Sequence, residues 1–137
     1  MGLLRGHAAA TRSFSALLQR QHGLSLSEYE VLLRLFRAPG HQLKRVELVE
    51  QVLLTPSGIT RLLARLEGDG LVCKAHCETD ARVTYAVLTR EGVRKLRAAT
   101  RSHIQGIESV LGGEYTQQEL QALAGLLARL PAAVEDA

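Results

Sequence analysis

A chain of 137 residues with 46% hydrophobic content has enough apolar material for one compact domain with a helical extension, and too little for two independent cores. No run approaches the ~20 apolar residues of a membrane span, the opening Met1 to His7 carries no export or myristoylation signal, and two cysteines are too few for a disulfide framework; these features predict a cytoplasmic protein with reduced thiols. The net charge of +3 is concentrated, with 11 Lys or Arg against 7 Asp or Glu in residues 41 to 101, the balance of a polyanion-binding middle between near-neutral ends.

Residues 3 to 22 read as a helix with apolar positions at Leu3, Leu4, Phe14, Leu17 and Leu18 and a stop at Gly23. Its apolar residues lie on more than one side, which suits packing on a partner subunit as well as on its own domain. Ser27 to Glu30 has the form of a capping box, with Ser27 as N-cap and Glu30 reaching back to its amide. The helix that follows carries Tyr29, Leu32, Leu33 and Phe36 as its buried stripe and ends at Pro39-Gly40. His41 to Leu43 is a candidate edge strand. Arg45 to Val52 forms a short helix with Leu48, Val49 and Val52 inward, and Leu53-Leu54 leads into a turn.

Thr55 and Pro56 then suit the N-cap and first position of a new helix. Ile59, Leu62, Leu63 and Leu66 fall at i, i+3, i+4 and i+7 and form one apolar stripe. The opposite face presents Ser57, Thr60, Arg61 and Ala64, with Arg65 at its edge and no acidic residue among them. That set suits a major groove, where Arg reaches guanine edges, hydroxyls bond bases or phosphates, and Ala touches a thymine methyl. The same face also reads as the solvated side of an ordinary amphipathic helix.

Gly68 and Gly70 end this helix, and Leu71 to Ala75 and Val83 to Leu88 are strand-like runs around a polar loop. A helix feeding straight into a β-hairpin is the order of a winged helix. Asp80 and Arg82 at the hairpin tip make either a braced cation aimed at a narrow minor groove or a solvated surface pair. Cys73 is expected to pack inward and Cys77 to sit near the exposed wing. If the strand is extended, their Cα atoms lie about 13 Å apart, beyond the ~7 Å reach of a disulfide.

Thr89 is a cap for a helix extending to about Leu111, roughly 35 Å long, with Val93, Leu96, Thr100, Ile104, Ile107 and Leu111 recurring every three or four residues. Its far half outreaches a small domain and needs another surface to cover it. Gly112-Gly113 breaks the chain. Thr116 to Glu119 is a further capping box, and Leu120, Leu123, Leu127 and Leu130 line a last helix ended by Pro131.

Thr60-Arg61 through Leu66-Glu67, Gly70-Leu71-Val72, Asp80-x-Arg82 and Leu88-Thr89-x-x-Gly92, in that order and spacing, resemble the MarR family of bacterial transcription regulators. The similarity extends from about Leu17 to Leu130. It implies a mostly α, α+β winged-helix fold with about six helices and a small β-hairpin wing. Residues 24 to 92 would form the DNA-binding lobe, and residues 1 to 23 and 93 to 137 the dimerisation helices. It further implies a homodimeric repressor or activator on a pseudo-palindromic operator in double-stranded DNA, with Ser57, Thr60, Arg61, Ala64, Arg65, Asp80 and Arg82 as contacts. Many relatives are released by small aromatic or phenolic ligands; His7 and Arg12 are candidates to hold a carboxylate, with Phe14 and Tyr29 as apolar wall.

No nucleophile elbow, phosphate-cradling loop or paired metal-binding histidines occur, so neither an enzyme nor a cofactor or metal site is expected. His22, Glu30 and His103 are the residues weighed for a metal, without a supporting spacing. Two other functions stay open: redox sensing through Cys73 and Cys77, and a protein-interaction or architectural role for the winged helix.

Overall fold

A computed structural model describes residues 1–52 and 54–130. Leu53, expected in the turn, and Pro131, expected as the final helix stop, lie outside the described residues. The chain divides into two compact units, Met1–His103 and the residues from Ile104 on, with the boundary inside one helix.

The first unit begins with α1 (Gly2–His22), closed by Gly23 in the left-handed conformation at φ 65°. The Gly23 amide donates to the Gln19 carbonyl at 3.0 Å and the Leu24 amide to that of Leu18 at 3.4 Å, so the last turn spends its carbonyls on a glycine stop. Helix α2 (Leu26–Arg37) follows at once. Its N-cap is Ser25, not Ser27. The Ser25 hydroxyl accepts from the Glu28 amide at 3.1 Å, and the Glu28 carboxylate accepts from the Ser25 amide at 2.9 Å. The expected pairing of Ser27 with Glu30 is therefore displaced by two residues, and with it the buried face. Val31 and Leu35 join Tyr29 and Leu32 in the core, while Leu33 and Phe36 are only partly buried.

After a single 3₁₀ turn come β1 (Gln42–Lys44), α3 (Arg45–Gln51) and α4 (Pro56–Gly68). Strands β2 (Val72–His76) and β3 (Thr84–Leu88) complete an antiparallel sheet in the order β1-β3-β2. The edge strand expected near His41 is thus present, one residue later. Val72 pairs with Leu88, and both are buried. Because side chains alternate along a strand, Cys73, opposite Val87, points to the other face. It is exposed, contrary to the inward packing expected of it.

Leu18, Leu24, Leu32, Leu35, Leu48, Ile59 and Leu66 are fully buried and join α1, α2, α3 and α4 in one core. Helix α5 (Arg90–Leu111) enters it through Leu96 and Ala99. Thr89 caps α5 as expected, its hydroxyl accepting from the Gly92 amide at 3.0 Å and donating to the Gly70 carbonyl at 2.7 Å. The cap thereby also ties α5 to the end of α4.

In the second unit, α6 (Gln117–Leu127) starts at the expected capping box. The Thr116 hydroxyl accepts from the Glu119 amide at 3.2 Å, and the Glu119 carboxylate accepts from the Thr116 amide at 2.7 Å. Leu123, Leu126, Leu127 and Leu130 remain exposed in the single chain.

Candidate nucleic-acid interface

Three buried side chains set the orientation of α4: Ile59, Leu63 and Leu66 face the core. Residues displaced half a turn from them must face outward, and Ser57, Thr60, Arg61, Ala64 and Arg65 are all exposed. Thr55 caps the helix, its hydroxyl accepting from the Gly58 amide at 3.1 Å. The Ser57 hydroxyl lies 3.1 Å from that of Thr55. Thr60 donates to the Pro56 carbonyl at 2.9 Å and accepts from the Arg45 guanidinium, so its single hydroxyl proton is already engaged. Arg61 forms no ion pair among the described residues and extends from the middle of this face.

Arg65 differs from Arg61. Its Nε lies 3.2 Å from Glu28, whose side chain is 5% exposed while that of Arg65 is 56% exposed. Glu28 is the one buried charged residue among those described. Neither this partner nor Arg45 is marked by local spacing: each lies on another helix, and only the packing of α2 and α3 against α4 brings it near.

The β2–β3 turn holds its shape through the Cys77 amide, which donates to Val83 at 3.1 Å, and the Val83 amide, which donates to Asp80 at 3.0 Å. One Asp80 oxygen accepts both from the Arg82 amide at 3.0 Å and from its Nε at 3.2 Å. The carboxylate is therefore a brace for the loop. The Arg82 side chain stays 92% exposed, so the pair adds at most about 1 kcal/mol to stability. Its consequence is a guanidinium held at the wing tip. A groove of about 670 Å³ separates the wing from α3 and the start of α4, with Lys44, Arg45 and Glu50 on one side and Arg82 and Thr84 on the other. Lys74 of β2 lies 3.6 Å from Glu67 of α4 and ties the wing to the helix.

Of the residues expected to hold a ligand, Phe14 and Tyr29 come together, while His7 and Arg12 are exposed on α1. Phe14 meets His103 edge-on at 5.2 Å, and Tyr29 lies tilted against the same ring at 5.0 Å. The Tyr29 hydroxyl is 3.2 Å from that of Thr100. His103 Nδ1 is buried without a hydrogen-bond partner, and burial lowers the pKa of this imidazole. His22 sits elsewhere, 2.8 Å from the Ser102 hydroxyl, and Glu30 pairs with Arg34. Among the described residues no three His, Cys, Asp or Glu side chains gather as metal ligands do. Both cysteines are free thiols. That of Cys77 is pulled below the ordinary thiol value, chiefly by the Thr79 hydroxyl 3.2 Å away.

Residues 24–84 match the model of the MarR family. Over that segment the chain is similar to this family. The HTH-type transcriptional repressor YetL of Bacillus subtilis is 32% identical over 108 residues, covering 79% of this chain and 64% of YetL. The chain thus spans less than two thirds of the length of that relative. The homoprotocatechuate degradative operon repressor of Escherichia coli is 26% identical over 127 residues, 93% of this chain and 83% of its own. In three dimensions the chain superposes with a TM-score of 0.88 on Sco3205, a MarR family regulator from Streptomyces coelicolor solved in complex with DNA. The two are 24% identical, and the match covers 96% of this chain and 82% of Sco3205. The order of helices and the three-stranded sheet are those of a MarR-type winged helix, and no helix among the described residues is long and apolar enough to cross a membrane.

Proposed function

We propose that this chain is a MarR-family, sequence-specific, DNA-binding transcription regulator, a repressor, that works in the cytoplasm as a homodimer on a pseudo-palindromic operator. The observation that carries the reading is the pairing of the acid-free outer face of α4 with the exposed Arg82 at the wing tip. Helix and wing are two separate probes, one of a width and chemistry for the major groove and one cationic for the adjacent minor groove. Lys44 and Arg45, on the groove between them, add charge for the intervening backbone.

The dimer rests on apolar surface that a single chain leaves open. Leu3 and Leu4 on α1 are 57% and 70% exposed, and Leu123, Leu126 and Leu130 in the second unit are 46%, 62% and 46% exposed. Such surface calls for a covering partner, and a second copy supplies it symmetrically.

Release from DNA by a small aromatic or phenolic ligand is supported by the Phe14, Tyr29 and His103 cluster, where an orphaned ring nitrogen offers a hydrogen bond between two aromatic walls. A second mode of control, oxidation at the wing, is favoured by the lowered Cys77 thiol. Peroxide treatment that leaves operator affinity unchanged removes it.

Selection from a library of random duplexes tests the function itself. Enrichment of a two-fold symmetric sequence is the expected result. Equal binding to every duplex would leave an architectural or protein-binding winged helix in its place.

A further inference from the structure

Each oxygen of the Glu28 carboxylate has one partner: one accepts from the Ser25 amide at 2.9 Å and the other forms an ion pair with Arg65 Nε at 3.2 Å. The first contact does not explain a buried charge. A Gln at this position closes the same capping box, and a buried carboxylate is unfavourable unless a cation compensates it. The second contact does explain it, yet α4 gains little packing from the pair. Ile59, Leu63 and Leu66 already bury its inner face, and Glu67 already links it to Lys74. What the pair changes is the freedom of Arg65. Its side chain is 56% exposed, and with Nε beside the buried carboxylate as an ion pair, its four Nη protons are left for an outside acceptor. Arg61 stands one turn earlier on the same helix.

We propose that Glu28 is a positioning residue for DNA recognition, its buried charge drawing in the Arg65 guanidinium at Nε so that the Nη groups meet the major-groove edge of the operator beside Arg61. The inference rests on the proposed DNA-binding role of α4. Preorganising a long side chain lowers the ordering cost at the moment of binding, and the gain appears only where the acceptor matches, which makes it a contribution to specificity.

Glu28→Gln isolates the effect, because it keeps an oxygen for the Ser25 amide while placing an amide against Arg65. The full-length chain is titrated with two duplexes of equal length, the one wild type selects from a random library and a scrambled one. Glu28 acting only as a negative charge predicts tighter binding of E28Q to both, since a repulsion is removed. Glu28 acting on Arg65 predicts that the ratio of selected to scrambled affinity falls about tenfold. R65Q then shows a similar fall, and E28Q/R65Q falls no further than R65Q alone. R65K supplies a check that keeps the buried charge paired with a cation: it lowers the ratio while leaving the salt dependence of binding unchanged. An unchanged ratio in E28Q and R65K, or losses that add in the double variant, overturns the inference while leaving DNA recognition intact. A wild-type chain that selects no duplex overturns the DNA-binding reading and this inference with it.

Discussion

Gly92, in the first turn of α5, lies directly against the Leu71 carbonyl: a Cβ built on it would stand 2.2 Å from that oxygen and 2.6 Å from a Leu88 methyl. The backbone of α5 is thus pressed onto the start of β2 and the end of β3. Thr89, which caps α5 and bonds Gly70, holds the same junction from the other side. Gly92→Ala should therefore lower stability by about 1–3 kcal/mol, since the obstacle is backbone and cannot rotate away. Chemical denaturation measures the loss. Gly113→Ala, with open space around its Cβ position, serves as the control and should change little.

Arg61 and Arg82 should fail differently. If Arg61 reads base edges as proposed, Arg61→Ala should cost about 1–3 kcal/mol on the selected duplex with little change on others. Arg82→Ala should weaken binding to all duplexes more evenly and reduce the slope of affinity against salt. Titrations at two salt concentrations on matched and scrambled duplexes distinguish them. Neither variant should alter the melting temperature appreciably, because both side chains are exposed.

Leu126 is 62% exposed in the single chain, so a charge there costs a monomer almost nothing. In a dimer that covers it, the same charge is desolvated. Leu126→Glu should therefore convert the assembly to monomers in sedimentation while leaving helical content intact, and operator binding should fall with the assembly. A wild-type chain that sediments as a monomer and still binds tightly would contradict the dimer.

Burial lowers the pKa of His103, and burial followed by Lys95 lowers that of His22, both from an ordinary 6.5. As pH falls, the unfolded chain takes up these protons before the folded one does. The stability present above the ordinary histidine value is then lost as pH falls through it toward the folded values. His103→Phe keeps a ring between Phe14 and Tyr29 and removes the buried nitrogen. Its denaturation midpoint should fall less steeply than wild type between about pH 7 and about pH 5. Equal slopes would show that His103 does not carry the effect.

The parts of the chain that sequence makes legible are those set by local chemistry. Thr55-Pro56 marks the start of α4, the spacing of Ile59, Leu63 and Leu66 gives its buried face, and Asp80 with Arg82 gives the braced wing tip, because each involves residues a turn or a loop apart. Errors arise where two local solutions compete. Ser25 and Ser27 each stand three residues before a Glu, so local spacing does not choose between them; in the fold Ser25 is the cap and Glu28 is buried beside Arg65, a residue on another helix. Cys73 is misplaced because a five-residue strand gives no periodicity of its own; pairing of Val72 with Leu88 decides the face. Arg45 reaching Thr60 and His103 lodged between Phe14 and Tyr29 are likewise products of tertiary packing and leave no mark in spacing.

Hydrogen exchange of the full chain with and without its selected duplex tests most directly whether α4 and the wing form the DNA-binding surface. Slowed exchange is expected in segments spanning Thr55 to Glu67 and Glu78 to Thr84 on adding duplex, with α6 unchanged. Slowed exchange confined to α6, with the α4 and wing segments unaffected, would contradict it.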